Sequence, residues 1–100
     1  MVLSVPDTEL LEAKAAIDAS GVGCEPASAV SLAGLRQLVR SGQVKPGDRV
    51  VAVLTGHILK DPDLLLRYHQ ETDPPPPGAN RPIEIGPDIR EIERVLQQKA

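Results

Sequence analysis

Arg49-Val50-Val51-Ala52-Val53-Leu54-Thr55-Gly56-His57 runs through the middle of the chain: five consecutive apolar residues between an arginine and a Thr-Gly-His tripeptide. An apolar run with no alternation predicts a strand covered on both faces, as in a parallel α/β sheet. Thr55-Gly56-His57 stands where that strand would end. Ligands in open α/β sheets collect beyond the carboxyl ends of the strands, so chemistry is expected at this tripeptide. The run is entered through Lys45-Pro46-Gly47-Asp48, a turn in which proline presets one dihedral and glycine supplies the permissive one.

Upstream of that turn, Ala27 to Arg40 reads as a helix, apolar round most of its circumference until Arg36 and closed by Ser41-Gly42. Its small residues, Ala27, Ala29, Ala33 and Gly34, permit close approach of a neighbouring element. Further upstream, Val2 to Val5 predicts a short strand ended by Pro6. Asp7 or Thr8 then caps a first helix with Glu9 and Glu12 in its opening turn, and Ser20-Gly21 stops it. Leu10, Ala13 and Ile17 form its apolar face, with Glu12, Lys14 and Asp18 expected in water. The resulting order is strand, helix, helix, strand: an α/β fold class, with this segment part of a parallel sheet.

Past Lys60 the character changes. Asp61 is expected to cap, and Pro62 to open, a short helix through about His69. Asp73 to Gly78 holds four consecutive prolines and predicts an extended tract that cannot donate to a sheet. Ile83-Glu84-Ile85 is a candidate edge strand. Pro87 to Gln98 predicts an amphipathic helix with Ile89, Ile92, Val95 and Leu96 on one face. The expected division is residues 1–61 as one portion and residues 62–100 as a Pro-rich, helix-ended tail.

Composition restricts the partners. The 100 residues are 41% hydrophobic, but Tyr68 is the only aromatic, so aliphatic residues and alanine must fill whatever core there is. Such a core is thin, which implies that the chain pairs with a partner or is part of something larger. Eleven Lys and Arg against fourteen Asp and Glu leave a net charge of −3 with the signs interspersed. Without a basic stripe or stacking aromatics, a nucleic-acid surface is not expected. The longest uncharged stretch, Pro26 to Leu35, is too short to span a membrane. The N-terminus lacks a basic leader region, and Cys24 is the sole cysteine. A cytoplasmic, reducing setting with no internal disulfide is therefore expected.

Two segments together carry a resemblance: Cys24-Glu25-Pro26-Ala27-Ser28-Ala29 opening a helix, and Val53-Leu54-Thr55-Gly56-His57-Ile58-Leu59-Lys60-Asp61-Pro62 closing a strand. In motif and separation the chain resembles the C-terminal part of threonine synthase, a pyridoxal-phosphate enzyme of the tryptophan-synthase β-like (fold type II) superfamily. That family converts O-phosphohomoserine and water to threonine and phosphate. The resemblance implies that Thr55 hydrogen-bonds the pyridine nitrogen of pyridoxal 5'-phosphate and that Gly56 lets the backbone pass close to the ring. A neutral hydroxyl does not hold that nitrogen protonated as a carboxylate would, which moderates the electron sink. The family's Schiff-base lysine and glycine-rich phosphate loop lie N-terminal to this region. Lys60 is not the Schiff-base position, and Gly21-Val22-Gly23 is too sparse for a phosphate cradle. The resemblance thus implies a segment that does not catalyse alone and has no catalytic residue of its own.

The remaining candidates each have a plainer alternative. His57 contacts substrate or simply bonds backbone in its loop. Ser28 contacts a ligand or serves as a first-turn hydroxyl. Glu25, held extended by Pro26, faces the helix dipole or shapes an active-site wall. His69 is expected in solvent, and Cys24 is expected to be an inert, partly buried thiol. No residue set reads as a metal site. As partners, the rest of a threonine synthase chain or a second copy in a homo-oligomer are expected. A non-catalytic docking module derived from the same fold is the rival reading, and an unrelated small α/β binding domain is a weaker one.

Overall fold

Pro6 has extended dihedrals, and the chain turns helical directly after it. In the computed structural model, which describes residues 1–100, α1 covers Asp7–Ala19. Neither Asp7 nor Thr8 caps it. Pro6 occupies the capping position without a side-chain bond, its carbonyl accepting from Leu10 N at 3.0 Å. Asp7 and Glu9 lie in the first turn, where the helix dipole favours anions. A 3₁₀ turn, Pro26–Ala29, opens the second helical stretch and runs directly into α2, Val30–Arg40. Pro62 sits at the first position of α3, Pro62–Gln70. Asp61 precedes it in the left-handed region and makes no capping bond, contrary to its expected role. Finally, α4 spans Ile89–Lys99, with Asp88 accepting from Arg90 N at 2.9 Å.

The expected α/β class is not what forms. The structure has no strand: the order is α1, 3₁₀ turn, α2, α3, α4. Val2–Val5, Val50–Leu54 and Ile83–Ile85 carry no backbone–backbone hydrogen bond. The physical reason is that a strand exists only as one side of a ladder. The apolar run expected to be covered on both faces instead leaves Val51 89% and Val53 69% exposed. The two turns that precede the run form as read. Gly47 adopts φ 95°, and Asp48 N donates to Lys45 O at 3.0 Å, while Gly42 takes φ 74° after α2.

The core sits where α1 crosses α2 and the 3₁₀ turn. It consists of Ala13, Ile17, Cys24, Ala29 and Ala33, with Val5, Leu10, Leu32 and Leu54 packed around it. Its smallness follows from composition, because alanine and cysteine bring helices close but bury little area each. Only ten residues are buried in all. The Cα radius of gyration is 15.9 Å, against about 13 Å for a compact chain of this length. One expectation about α1 is overturned: Lys14 does not face water. It is 1% exposed and paired with Asp18 one turn later, because that face of α1 lies beneath other parts of the chain. At the other end of the interface, Glu9 accepts from Arg40 at 2.8 Å and Gln37 at 3.2 Å, tying α1 to α2.

The tail folds back on itself through polar contacts. Tyr68 donates to Pro77 O at 2.7 Å, and Asn80 N donates to His69 Nδ1 at 3.0 Å. His69 is thus half-buried rather than in solvent, and burial lowers its pKa. The apolar face of α4 stays largely uncovered, with Ile89 66% and Leu96 64% exposed. No helix is long and apolar enough to cross a membrane.

Candidate functional site

The Cys24–Ala29 and Val53–Pro62 segments, far apart in sequence, meet in space around a single hydroxyl. Ser28 Oγ accepts from Thr55 N at 3.0 Å and from Gly56 N at 3.3 Å. In the opposite sense, Glu25 N donates to Gly56 O at 2.9 Å. The local sequence explains the seat. Glu25 is extended because Pro26 follows it, and Pro26 starts the 3₁₀ turn that turns Ser28 back toward Thr55. Ser28 therefore does more than a first-turn hydroxyl would: it is 6% exposed and clamps another segment's backbone.

A short polar chain grows from this clamp. Ser28 Oγ and Thr55 Oγ1 are 3.0 Å apart, and Thr55 Oγ1 donates to Glu25 Oε1 at 3.3 Å. Lys60 Nζ lies 2.6 Å from the other carboxylate oxygen, Oε2. Glu25 is largely buried, whereas Thr55 and Lys60 reach solvent. The Lys60 ammonium holds the Glu25 carboxyl below the usual carboxylate range, helped by the two hydroxyls and opposed by burial. Reciprocally, the Glu25 carboxylate raises the Lys60 pKa. The result is an ionised acid behind a hydroxyl whose outer side is open. Such an arrangement binds and orients a heteroatom. It contains no nucleophile poised by a base.

Gly56 is required, and the immediate cause is internal. A Cβ built there falls 2.1 Å from Glu25 Cδ and 2.5 Å from Glu25 Oε1, so glycine makes room for the carboxylate. His57 stays outside the cluster. Its Nδ1 accepts from Leu59 N at 3.1 Å and its carbonyl from Lys60 N at 3.1 Å, which matches the backbone-bonded alternative. Cys24 is fully buried beside the cluster. Burial raises its pKa despite the nearby Lys14 charge.

Thr55, Gly56 and Ser28 are thus brought together, and His57 is not. Lys60 is the participant that reading the sequence set aside. The available signal was the single carboxylate of the first motif, Glu25, and the single ammonium of the second, Lys60.

No family model matches the chain. It is 38% identical over 96 residues to the threonine synthase of Methanocaldococcus jannaschii, covering 95% of this chain and 21% of that protein. Over 69 residues it is 46% identical to the threonine synthase of Methanosarcina acetivorans, 68% of this chain and 17% of that one. Over 60 residues it is 57% identical to the threonine synthase of Synechocystis, 59% and 15% respectively. The chain spans about a fifth of the length of the curated relatives it matches.

Proposed function

We propose that this chain is a C-terminal segment of a threonine synthase, residues 1–61 from the large cofactor-binding domain and residues 62–100 a tail, and that Thr55 is its contact to pyridoxal phosphate. One observation carries the reading. The two motifs shared in style with that family meet at Ser28, which locks Thr55 and Gly56 into a fixed ledge with the threonine hydroxyl exposed. The curated relatives, threonine synthases from two archaea and a cyanobacterium, support it.

The residues fit one end of the cofactor. A hydroxyl with an open outer side suits a ring nitrogen, and the Ser28 clamp fixes the direction from which that nitrogen is met. The phosphate and aldehyde ends find no counterpart: Lys14 is buried in its pair with Asp18, and Lys60 is engaged by Glu25. When bound, pyridoxal phosphate supplies the electron sink for β,γ-elimination and replacement. This chain orients the ring through Thr55, and Gly56 and Ser28 hold Thr55 still. Lysine and phosphate loop come from the remaining polypeptide.

That polypeptide also completes the fold. Leu3, Val5, Val30, Leu38, Val50 and Val53 line an apolar pocket of about 360 Å³ between the N-terminal residues, α2 and the Val50–Val53 run. An exposed apolar surface of this kind calls for a cover from other polypeptide. The same surface favours a second reading, a non-catalytic module that associates with itself or docks on a separate chain.

The test replaces the matched fifth of the Methanocaldococcus jannaschii enzyme with residues 1–100 and measures phosphate release from O-phosphohomoserine. The chimera should release phosphate, and Thr55→Ala should abolish the release while leaving the fold intact. A folded chimera without activity, or one indifferent to Thr55→Ala, sinks the enzyme reading. Sedimentation of the isolated chain as a dimer would support the second.

A further inference from the structure

We propose that His69 is a proton-operated latch on the C-terminal tail: its neutral ring holds Asn80 against α3, and its protonated ring releases Asn80 and engages the Asp18 carboxylate instead. The latch lies away from the Ser28–Thr55 junction and does not depend on how Thr55 is used.

A backbone N–H can only donate. Asn80 N reaches His69 Nδ1 at 3.0 Å, so Nδ1 presents a lone pair and the ring is neutral, with its one proton on Nε2. An imidazolium carries a hydrogen on both nitrogens. Protonation therefore sets two donors against each other, and the Asn80 bond is lost. The neighbouring ties of the tail do not share this weakness. Tyr68 donates to Pro77 O at 2.7 Å, and burial raises its pKa further from neutrality. Gly78, at φ 74°, passes so close to α1 that a Cβ there would lie 3.2 Å from Ala15 Cβ. The chain thus stays attached as far as Gly78 and loosens beyond it. Lys99 Nζ donates to Asn80 Oδ1 at 3.3 Å, so the release of Asn80 is passed on to α4.

Asp18 supplies the second state. Its Oδ2 is paired with Lys14, while Oδ1 is buried and accepts no hydrogen bond from the protein. A buried acceptor without a donor is costly, and an imidazolium is the donor that would relieve it. Asp18 and His69 line the same apolar recess of about 290 Å³, with Ile58, Leu66 and Pro82. The charged groups facing His69 are Asp18 and Lys14, both from α1. On its own helix Tyr68 meets the ring edge-on at 5.2 Å, and from the tail Lys99 approaches only through Asn80. Burial holds the His69 pKa below the ordinary 6.5, with Asp18 raising it and Lys14 lowering it. The latched form is the unprotonated one, so its stability is fully present above 6.5 and lost as pH falls through the lower folded value.

The test is a titration of the 100-residue chain, labelled with ¹⁵N and ¹³C, by nuclear magnetic resonance from about pH 7.5 to about pH 5. At the upper end the His69 ring should show its proton on Nε2. As pH falls, the His69 ring, Asn80 amide and Asp18 carboxyl signals should move together, with a midpoint below 6.5. Protection of the Asn80 amide against exchange should drop about fivefold, the weight of one hydrogen bond, while the Gly78 and α1 amides keep theirs. His69→Gln does not titrate and should remove the pH dependence at Asn80, whether or not its amide oxygen takes over as acceptor. Four results would each overturn the latch: a proton on Nδ1 at neutral pH, a midpoint at or above 6.5, an Asn80 amide that keeps its protection through the ring's titration, or a pH dependence that survives in His69→Gln. An Asp18 carboxyl signal that stays still at the His69 midpoint overturns the exchange of partners.

Discussion

Ser28→Ala is the sharpest perturbation of the junction, because it deletes one oxygen atom and creates almost no cavity. That oxygen accepts from Thr55 N and Gly56 N and contacts Thr55 Oγ1. Once it is gone, two backbone donors lose their acceptor. Thr55 is exposed and water can reach its N–H, whereas Gly56 is half-buried and less easily rescued. One unsatisfied buried donor costs about 1–3 kcal/mol, so a loss of about 2 kcal/mol is expected. With a urea m-value of about 2 kcal/mol/M for a small protein, the midpoint should fall by about 1 M with the slope unchanged. Amide hydrogen exchange locates the effect: Thr55 and Gly56 should lose protection, while α1 amides lose only what the global change dictates. A midpoint within about 0.2 M of the parent, with unchanged exchange at Thr55 and Gly56, would refute the claim that Ser28 holds the two motifs together.

Gly56→Ala should push the Glu25 side chain from its seat, because the new Cβ would lie 2.1 Å from Cδ; a loss of about 1–3 kcal/mol is expected for such overpacking, and the Glu25 carboxyl ¹³C titration should return toward normal. Gly34→Ala should do the reverse. Its Cβ would meet only Leu3 Cδ1 at 3.9 Å and Val5 Cγ2 at 4.0 Å, so the helix gains about 1 kcal/mol, seen as a raised urea midpoint. For pH, Glu25 has a folded pKa below its ordinary 4.5, so its contribution is present above 4.5 and lost as pH falls through the folded value. Lys60 is raised above 10.5, so its contribution is present below 10.5 and lost as pH rises through the folded value. Glu25→Gln should flatten both limbs of a stability–pH curve, and unchanged limbs would count against the pair.

Much of the local structure was legible in the sequence because its causes are local. Pro62 starts α3, Gly42 ends α2, and the Pro46-Gly47 turn forms, each from a dihedral preference of the residue itself. The amphipathic pattern Ile89, Ile92, Val95, Leu96 gave α4, shifted by one or two residues because Asp88 supplies the cap. Thr55, Ser28 and Gly56 were identifiable by motif, though their mutual contact was not. Lys14 misled because a lysine opposite an apolar face is normally solvated. Only the packing over α1 reveals that its pair with Asp18 is buried.

The sequence by itself determined where helices begin and stop, that the core would be small and aliphatic, and which two motifs matter. Tertiary structure decided two further matters. Val50–Leu54 is a strand in preference only, since β structure requires a hydrogen-bonded neighbour and none lies beside it. Glu25, Ser28, Thr55 and Lys60 form one hydrogen-bonded, charged cluster, because the lone pairs on Ser28 are accounted for only when the backbone 27 and 28 residues away is in place. Local preferences are read from neighbours along the chain, whereas hydrogen-bond partners are settled by neighbours in space.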